Sequence, residues 1–219
     1  MKELSFEDRL GLIVDREYTT RKNNRFAKLV RQANFADSQA CIEGIDYSAE
    51  RHLDKEVITK LASCQYILDH HNVALLGSTG SGKTYIACAL GLAAARNYLS
   101  VKYVRLPELF TDLSIARNNG TFRKVIEQYK KPSLLILDEW LLFSLKETES
   151  RDLLEIAESR YRKGSIIFCS QFDIPGWREK ITDPVLSEAI CDRIVHDTYY
   201  MNIDCRESMR KKTGVKDIT

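Results

Sequence analysis

Apolar residues along this chain follow two regimes that meet near residue 72. Before that point their spacing is helical. Phe6, Leu10, Ile13 and Val14 mark one helix, and Ser5 followed by Asp8 predicts a capping box at its start. A second helical stretch holds Phe26, Leu29, Val30 and Ala33; a looser segment with Gly44 follows, then a helix carrying Leu53, Val57, Leu61 and Cys64. After residue 72, short apolar runs at 73–76, 101–104, 134–137, 166–169 and 199–203 alternate with helical stretches at 83–97, 107–129, 147–162 and 183–193. Apolar strands joined by helical crossovers predict an α/β fold whose parallel five-stranded sheet is covered on both faces. The expected organisation is therefore a helical region over 1–48 and an α/β domain over 49–219. No repeat or low-complexity tract interrupts it.

Charge narrows the function classes. The 219 residues hold 33 Lys and Arg against 31 Asp and Glu, a formal net charge of +2. This excludes a basic tail that binds nucleic acid by bulk charge, and an acidic disordered chain. Any nucleic-acid contact must use a local patch. One candidate is the helix face of Arg21, Lys22, Arg25, Lys28 and Arg31, which no acid interrupts. It reads equally as a solvated surface or as a face for DNA phosphates or a protein partner. The opening MKELSFEDRL has acids and no apolar run, unlike a secretory signal, and the run 86–95 is too short to cross a bilayer. With six cysteines that form no CxxC pair, the expectation is a cytoplasmic protein with free thiols and no membrane contact. His52, His70, His71 and His196 show no zinc-ligand spacing.

The strongest chemical signal follows the first predicted strand. Gly77-Ser78-Thr79-Gly80-Ser81-Gly82-Lys83-Thr84 fits G-x-x-x-x-G-K-[ST] between a strand and a helix. Glycines let successive N–H groups curl toward phosphate oxygens at the positive end of the following helix. Lys83 then reaches the β- and γ-phosphates of ATP, the Thr84 hydroxyl ligates Mg²⁺, and Tyr85 stands next along the helix as a further nucleotide contact. The strand 134–137 runs into Asp138-Glu139. A carboxylate at the carboxyl end of a parallel strand lies where open α/β sheets bind ligands, so Asp138 is expected to hold Mg²⁺. Glu139 is expected to orient or deprotonate the attacking water, which favours hydrolysis over transfer to a small acceptor. At the end of 166–169, Ser170 or Gln171 lies beside that tip, although Ser170 also reads as the start of a turn. Arg193 reads either as an ordinary surface ion-pair partner or as an arginine finger acting across a subunit boundary. Trp177 reads as a packing anchor, and Arg117, Asn118, Asn119 and Gly120 as a polar loop tip.

Taken together, GSTGSGKT, LLILDE, IIFCSQFDIPGW, AICDRIVH and ESMR resemble the IstB/DnaC-like ATPases of the AAA+ class. The opening SFEDRLGLIVDRE is similar to the helical start of IstB-type transposition helpers. The resemblance implies an N-terminal helical domain that engages a partner or DNA, and a P-loop AAA+ core with little or no C-terminal lid. It also implies a homo-oligomer on double-stranded DNA that directs the transposase of the same element. The runner-up is a loader for a replicative helicase. By position, Gln171 is implied to be a sensor of the γ-phosphate, Arg193 the finger in a neighbouring subunit, and Arg210 a second nucleotide-sensing arginine, although Arg210 also reads as one of several basic tail residues. Trp140 after Asp-Glu and Cys169 before Ser-Gln depart from the family pattern. A small-molecule phosphotransferase and a non-hydrolysing ATP-gated module are the readings from other classes; a phosphorylated metabolite or an unchanged nucleotide, respectively, distinguishes them.

Overall fold

The computed structural model describes residues 5–48, 53–203 and 209. Arg210, most of the ESMR segment, His52 and Cys205 lie outside the described residues. The chain opens with α1 (Phe6–Ala33), a single helix where the sequence suggested two stretches. Ser5 Oγ accepts from the Asp8 N–H at 3.1 Å while Asp8 accepts from the Ser5 N–H at 3.3 Å, the reciprocal cap expected there. Only Ala33 of this helix is buried, with Phe26 and Val30 packed against the core beside it. A short 3₁₀ turn (Ile42–Gly44) leads to α2 (Lys55–Ala62) and α3 (Gln65–Leu68). In α2 the buried residues are Ile58 and Leu61, while Val57, expected inside, is 41% exposed.

The remainder is β1 (Asn72–Leu76), α4 (Lys83–Arg96), β2 (Val101–Arg105), α5 (Leu106–Asn118), α6 (Phe122–Lys130), β3 (Leu134–Trp140), α7 (Glu147–Arg160), β4 (Ser165–Ser170), α8 (Ile174–Lys180), α9 (Pro184–Val195) and β5 (Thr198–Asn202). All five strands are parallel in the order β2-β3-β4-β1-β5. Strand alternation divides each apolar run between two cores. Val73, Leu75, Ile136, Ile167 and Cys169 face α4 and the end of α1. Ala74, Leu135, Leu137, Ile166 and Phe168 pack in the second core with residues of α5, α6, α7, α8 and α9.

One expectation is corrected. The stretch 107–129 is not one helix but breaks at the polar tip that the sequence marked at Asn119-Gly120: Gly120 adopts φ +69, and Thr121 returns its N–H to Ala116 O at 2.8 Å, which ends α5 before α6 begins. Pro175 and Gly176 lie in the first turn of α8, a helix the sequence reading did not mark, where Asp173 caps the Gly176 N–H at 3.1 Å. Arg160, at the end of α7, is buried without a carboxylate. It donates instead to five carbonyls, those of Tyr129, Lys130, Pro132, Ser133 and Ser165, fastening the approach to β3 onto β4. Burial pulls its guanidinium down to about 10, still protonated at neutral pH.

Candidate nucleotide site

The order β2-β3-β4-β1-β5 sets the site. After β1 the chain crosses to the far edge of the sheet, returns through β3 and β4, and ends on the other side of β1. The carboxyl end of β1 is thus the switch point at which open α/β sheets hold ligands. A cavity of about 750 Å³ opens there, lined from the phosphate loop, the strand tips and the segment 36–46. Its volume suits a nucleotide-sized ligand.

The loop needs its glycines. Gly80 and Gly82 hold φ +81 and +91, and a side chain at Gly77 would come within 2.4 Å of the Ile203 carbonyl. Lys83 begins α4 and turns its ammonium into the loop, donating to the carbonyls of Gly77 and Ser78 at 2.8 Å each. Thr84 donates to Asp138 Oδ2 at 2.7 Å. The Glu139 N–H closes on Asp138 Oδ1 at 2.8 Å. An oxygen set of one hydroxyl and one carboxylate, open to phosphates, fits the hard, mostly hydrated Mg²⁺ ion. Thr84 and Asp138 are the residues that would hold it.

Glu139 sits in the left-handed region at φ +54, and so does Leu141 at +51, where a side-chain-bearing residue is strained. Its carboxylate is taken by Arg105, at 2.5 Å, and the same guanidinium reaches Glu108 at 3.4 Å. The contact with Glu139 is the main cause of the upward shift of the Arg105 guanidinium. Arg105 and Tyr103, which donates to Asp138 Oδ2 at 2.8 Å, are site residues that the sequence reading missed. The only sequence signal was their place at the end of an apolar strand, which brings Arg105 into register with Asp138.

The fourth strand separates its two candidates. Ser170 is buried away from the cavity: its hydroxyl donates to the Trp140 carbonyl at 3.2 Å and accepts from the Phe172 N–H at 3.1 Å and Trp177 Nε1 at 2.9 Å. It is the pin of the turn, and Gln171 lines the cavity. Trp177 is an anchor as expected. The Trp140 ring, which departs from the family pattern, is buried with its centroid 4.5 Å from that of Phe168 and 5.6 Å from that of Trp177. Gly44 and Tyr85 meet at the mouth, where the Tyr85 hydroxyl accepts from the Cys41 N–H at 3.3 Å. Cys169 is buried beneath the site, and burial pushes its thiol well up.

Arg193 is elsewhere. It lies beside His70, Asn72 and Asp197 at the amino end of β1, paired with Glu158 at 3.0 Å. It therefore does not meet the site of its own chain. The basic residues of α1 are exposed, with Arg21 on Glu17 at 2.7 Å and Arg25 over the Tyr98 ring at 4.7 Å. At the loop tip, Arg117 is tied to Asp152 at 2.6 Å. Among the described residues no helix is long and apolar enough to cross a membrane, and the five described cysteines are free.

Comparison with known proteins agrees with this geometry. The family of IstB-like ATP binding proteins matches residues 1–217. The y4pL insertion-sequence ATP-binding protein of Sinorhizobium fredii is 39% identical over 210 residues, 96% of this chain and 85% of that protein. In fold, AMPPCP-bound DnaA from Aquifex aeolicus superposes with a TM-score of 0.66 at 22% identity, covering 82% of this chain and 54% of that one. The DnaC helicase loader superposes with a TM-score of 0.63 at 17% identity, covering 75% and 97%.

Proposed function

The chain belongs to the IstB-like ATP-binding protein family, and from that premise we propose that it is a DNA-binding AAA+ ATPase that assists a transposase. In this reading it assembles with further copies of itself on duplex target DNA in the ATP state and directs the transposase of the same insertion sequence there. Residues 1–48 form the partner- and DNA-engaging region, 49–219 the ATPase, and the protein works in the cytoplasm. The observation that carries the reading is the cluster at the switch point: Lys83 at the loop, Thr84 and Asp138 sharing a hydrogen bond at 2.7 Å, and Glu139 on the next residue. The names of the relatives, insertion-sequence ATP-binding proteins, support the cellular role.

The chemistry follows from what each side chain gives up. Lys83 exchanges two loop carbonyls for the β- and γ-phosphates, a gain because phosphate oxygens carry charge. Thr84 keeps its proton on Asp138 and leaves an oxygen lone pair for Mg²⁺. Bound there, Mg²⁺ supplies Lewis-acid stabilisation of charge on the phosphate oxygens. Glu139 must leave Arg105 to take the proton of the attacking water. Their contact is partly exposed, and such ion pairs contribute about 0.2–1 kcal/mol, so Arg105 holds a latch weak enough for binding and assembly to open. Gln171 reads the γ-phosphate from β4. Arg193, facing away from its own site, completes the site of a neighbour.

Sedimentation with duplex or single-stranded DNA at fixed salt, with an ATP analogue or ADP, tests the reading. Large complexes on duplex with the analogue alone are expected. Preference for single strands would move the assignment to a helicase loader, and no complex in any nucleotide state would overturn it.

A further inference from the structure

Asp138 accepts from Thr84, from the Glu139 N–H and from Tyr103, and the last of these comes from outside every nucleotide motif. Tyr103 lies on β2, in register with Ile136 of β3, and its ring is buried in the first core. The residue also lines the cavity, and its hydroxyl donates to Asp138 Oδ2 at 2.8 Å. The same oxygen accepts from Thr84 Oγ1 at 2.7 Å, and Oδ1 accepts from the Glu139 N–H at 2.8 Å. With donors on both oxygens, the carboxylate is held in one orientation. Without the phenol, Oδ2 would lose one of its donors, and the carboxylate would be held less firmly against rotation about its Cβ–Cγ bond.

The direction of this bond is fixed as well. The phenol donates and the Asp138 carboxylate accepts. Thr84 is held in the same way, as a donor whose oxygen faces the cavity.

We infer that Tyr103 is the positioning residue of the divalent-cation site: its hydroxyl sets the Asp138 carboxylate, and with it Thr84, in the orientation that takes Mg²⁺ together with nucleotide. This rests on the nucleotide reading above. Tyr103 touches neither nucleotide nor metal in this account; it acts through Asp138.

The test is equilibrium binding of a fluorescent ATP analogue to the full chain, titrated with Mg²⁺ and repeated in EDTA, for the parent and Tyr103→Phe. A hydrogen bond to a charged group is worth enough that its loss shifts a coupled equilibrium roughly tenfold or more. The Mg²⁺ concentration that half-saturates the enhancement is expected to rise about tenfold in Tyr103→Phe, with affinity in EDTA within about twofold of the parent. Tyr129→Phe is the control. It removes another tyrosine hydroxyl that donates to a carboxylate, Asp112 at 2.7 Å, in the second core away from the cavity. It is expected to lower the melting temperature and leave the Mg²⁺ curve in place. A Tyr103→Phe curve that overlays the parent, or equal weakening with and without Mg²⁺, would reduce Tyr103 to a packing role and overturn the inference. A parent whose nucleotide binding ignores Mg²⁺ would instead remove the nucleotide reading itself, and this inference with it.

Discussion

Helices α1 and α4 both carry apolar stripes, and their surroundings are opposite. Of the 14 residues of α4 eleven are buried, against one residue of the 28 in α1. Burial of that kind stabilises α4 through packing, at roughly 25 cal/mol per Å² of apolar surface removed from water. The outer part of α1 has no such support. It is held by its capping box, the exposed Arg21–Glu17 pair and Lys22 lying 4.2 Å from the Tyr18 ring centroid, all of them weak in water. The helix persists because Phe26, Val30 and Ala33 fix its inner turns, so the outer turns extend an existing nucleus. That leaves Phe6, Leu12, Ile13 and Val14, each more than half exposed, on an arm extending roughly 20 Å. Helix α4 is built to hold a site, whereas the outer turns of α1 leave their apolar side chains in solvent.

The contrast can be broken or sharpened by substitution. The largest effect belongs to the site that α4 supports: Glu139→Gln is expected to retain ATP and slow hydrolysis about 10²–10⁴-fold in a phosphate-release assay. Lys83→Ala, at the first turn of α4, is expected to lose ATP affinity by about 100-fold in the same fluorescent titration. If Arg193 serves the neighbour, mixing Arg193→Ala with Lys83→Ala restores hydrolysis that neither has alone; no recovery would return Arg193 to its Glu158 pair. In denaturant unfolding, Leu90→Ala in α4 is expected to cost about 2–5 kcal/mol, and Leu10→Ala in α1 less than about 0.5 kcal/mol. Equal costs would mean that α1 is already packed. Smallest is Arg105→Ala, which frees Glu139 and is expected to raise basal hydrolysis about two- to fivefold while reducing its stimulation by DNA, in line with the weak exposed pair it removes.

What could be read in advance was contiguous along the chain. The phosphate loop, the Asp138-Glu139 strand end and the apolar runs each lie within a few residues, so their chemistry needs no long-range information. Tyr103 and Arg105 became site residues only because β2 pairs with β3, which sets Arg105 opposite Asp138 across a 33-residue separation in sequence that no local pattern encodes. Ser170 and Gln171 were indistinguishable as adjacent polar residues; the turn after β4 buries one and leaves the other facing the cavity. The break between α5 and α6 rested on the left-handed Gly120, and Asn119-Gly120 was a legible stop signal inside an otherwise helical pattern. Helix α8 was hidden because Pro-Gly marks a turn far more often than a first helical turn.

The sheet order also governs what happens as the chain leaves the ribosome. Strand β1, which carries the phosphate loop, emerges as the first of five, yet both of its neighbours are made late. The Ile166 N–H that bonds to the Asn72 side chain lies 94 positions downstream, and β5 begins at Thr198. At roughly 5–20 residues per second, β1 waits several seconds or more with both edges unpaired. During that interval its backbone donors and acceptors are open to wrong partners, and the chain depends on slow, long-range closure. Two neighbours of the phosphate loop are made only after β4 and β5: Gln171, which lines the cavity, and the Ile203 carbonyl, which lies against Gly77.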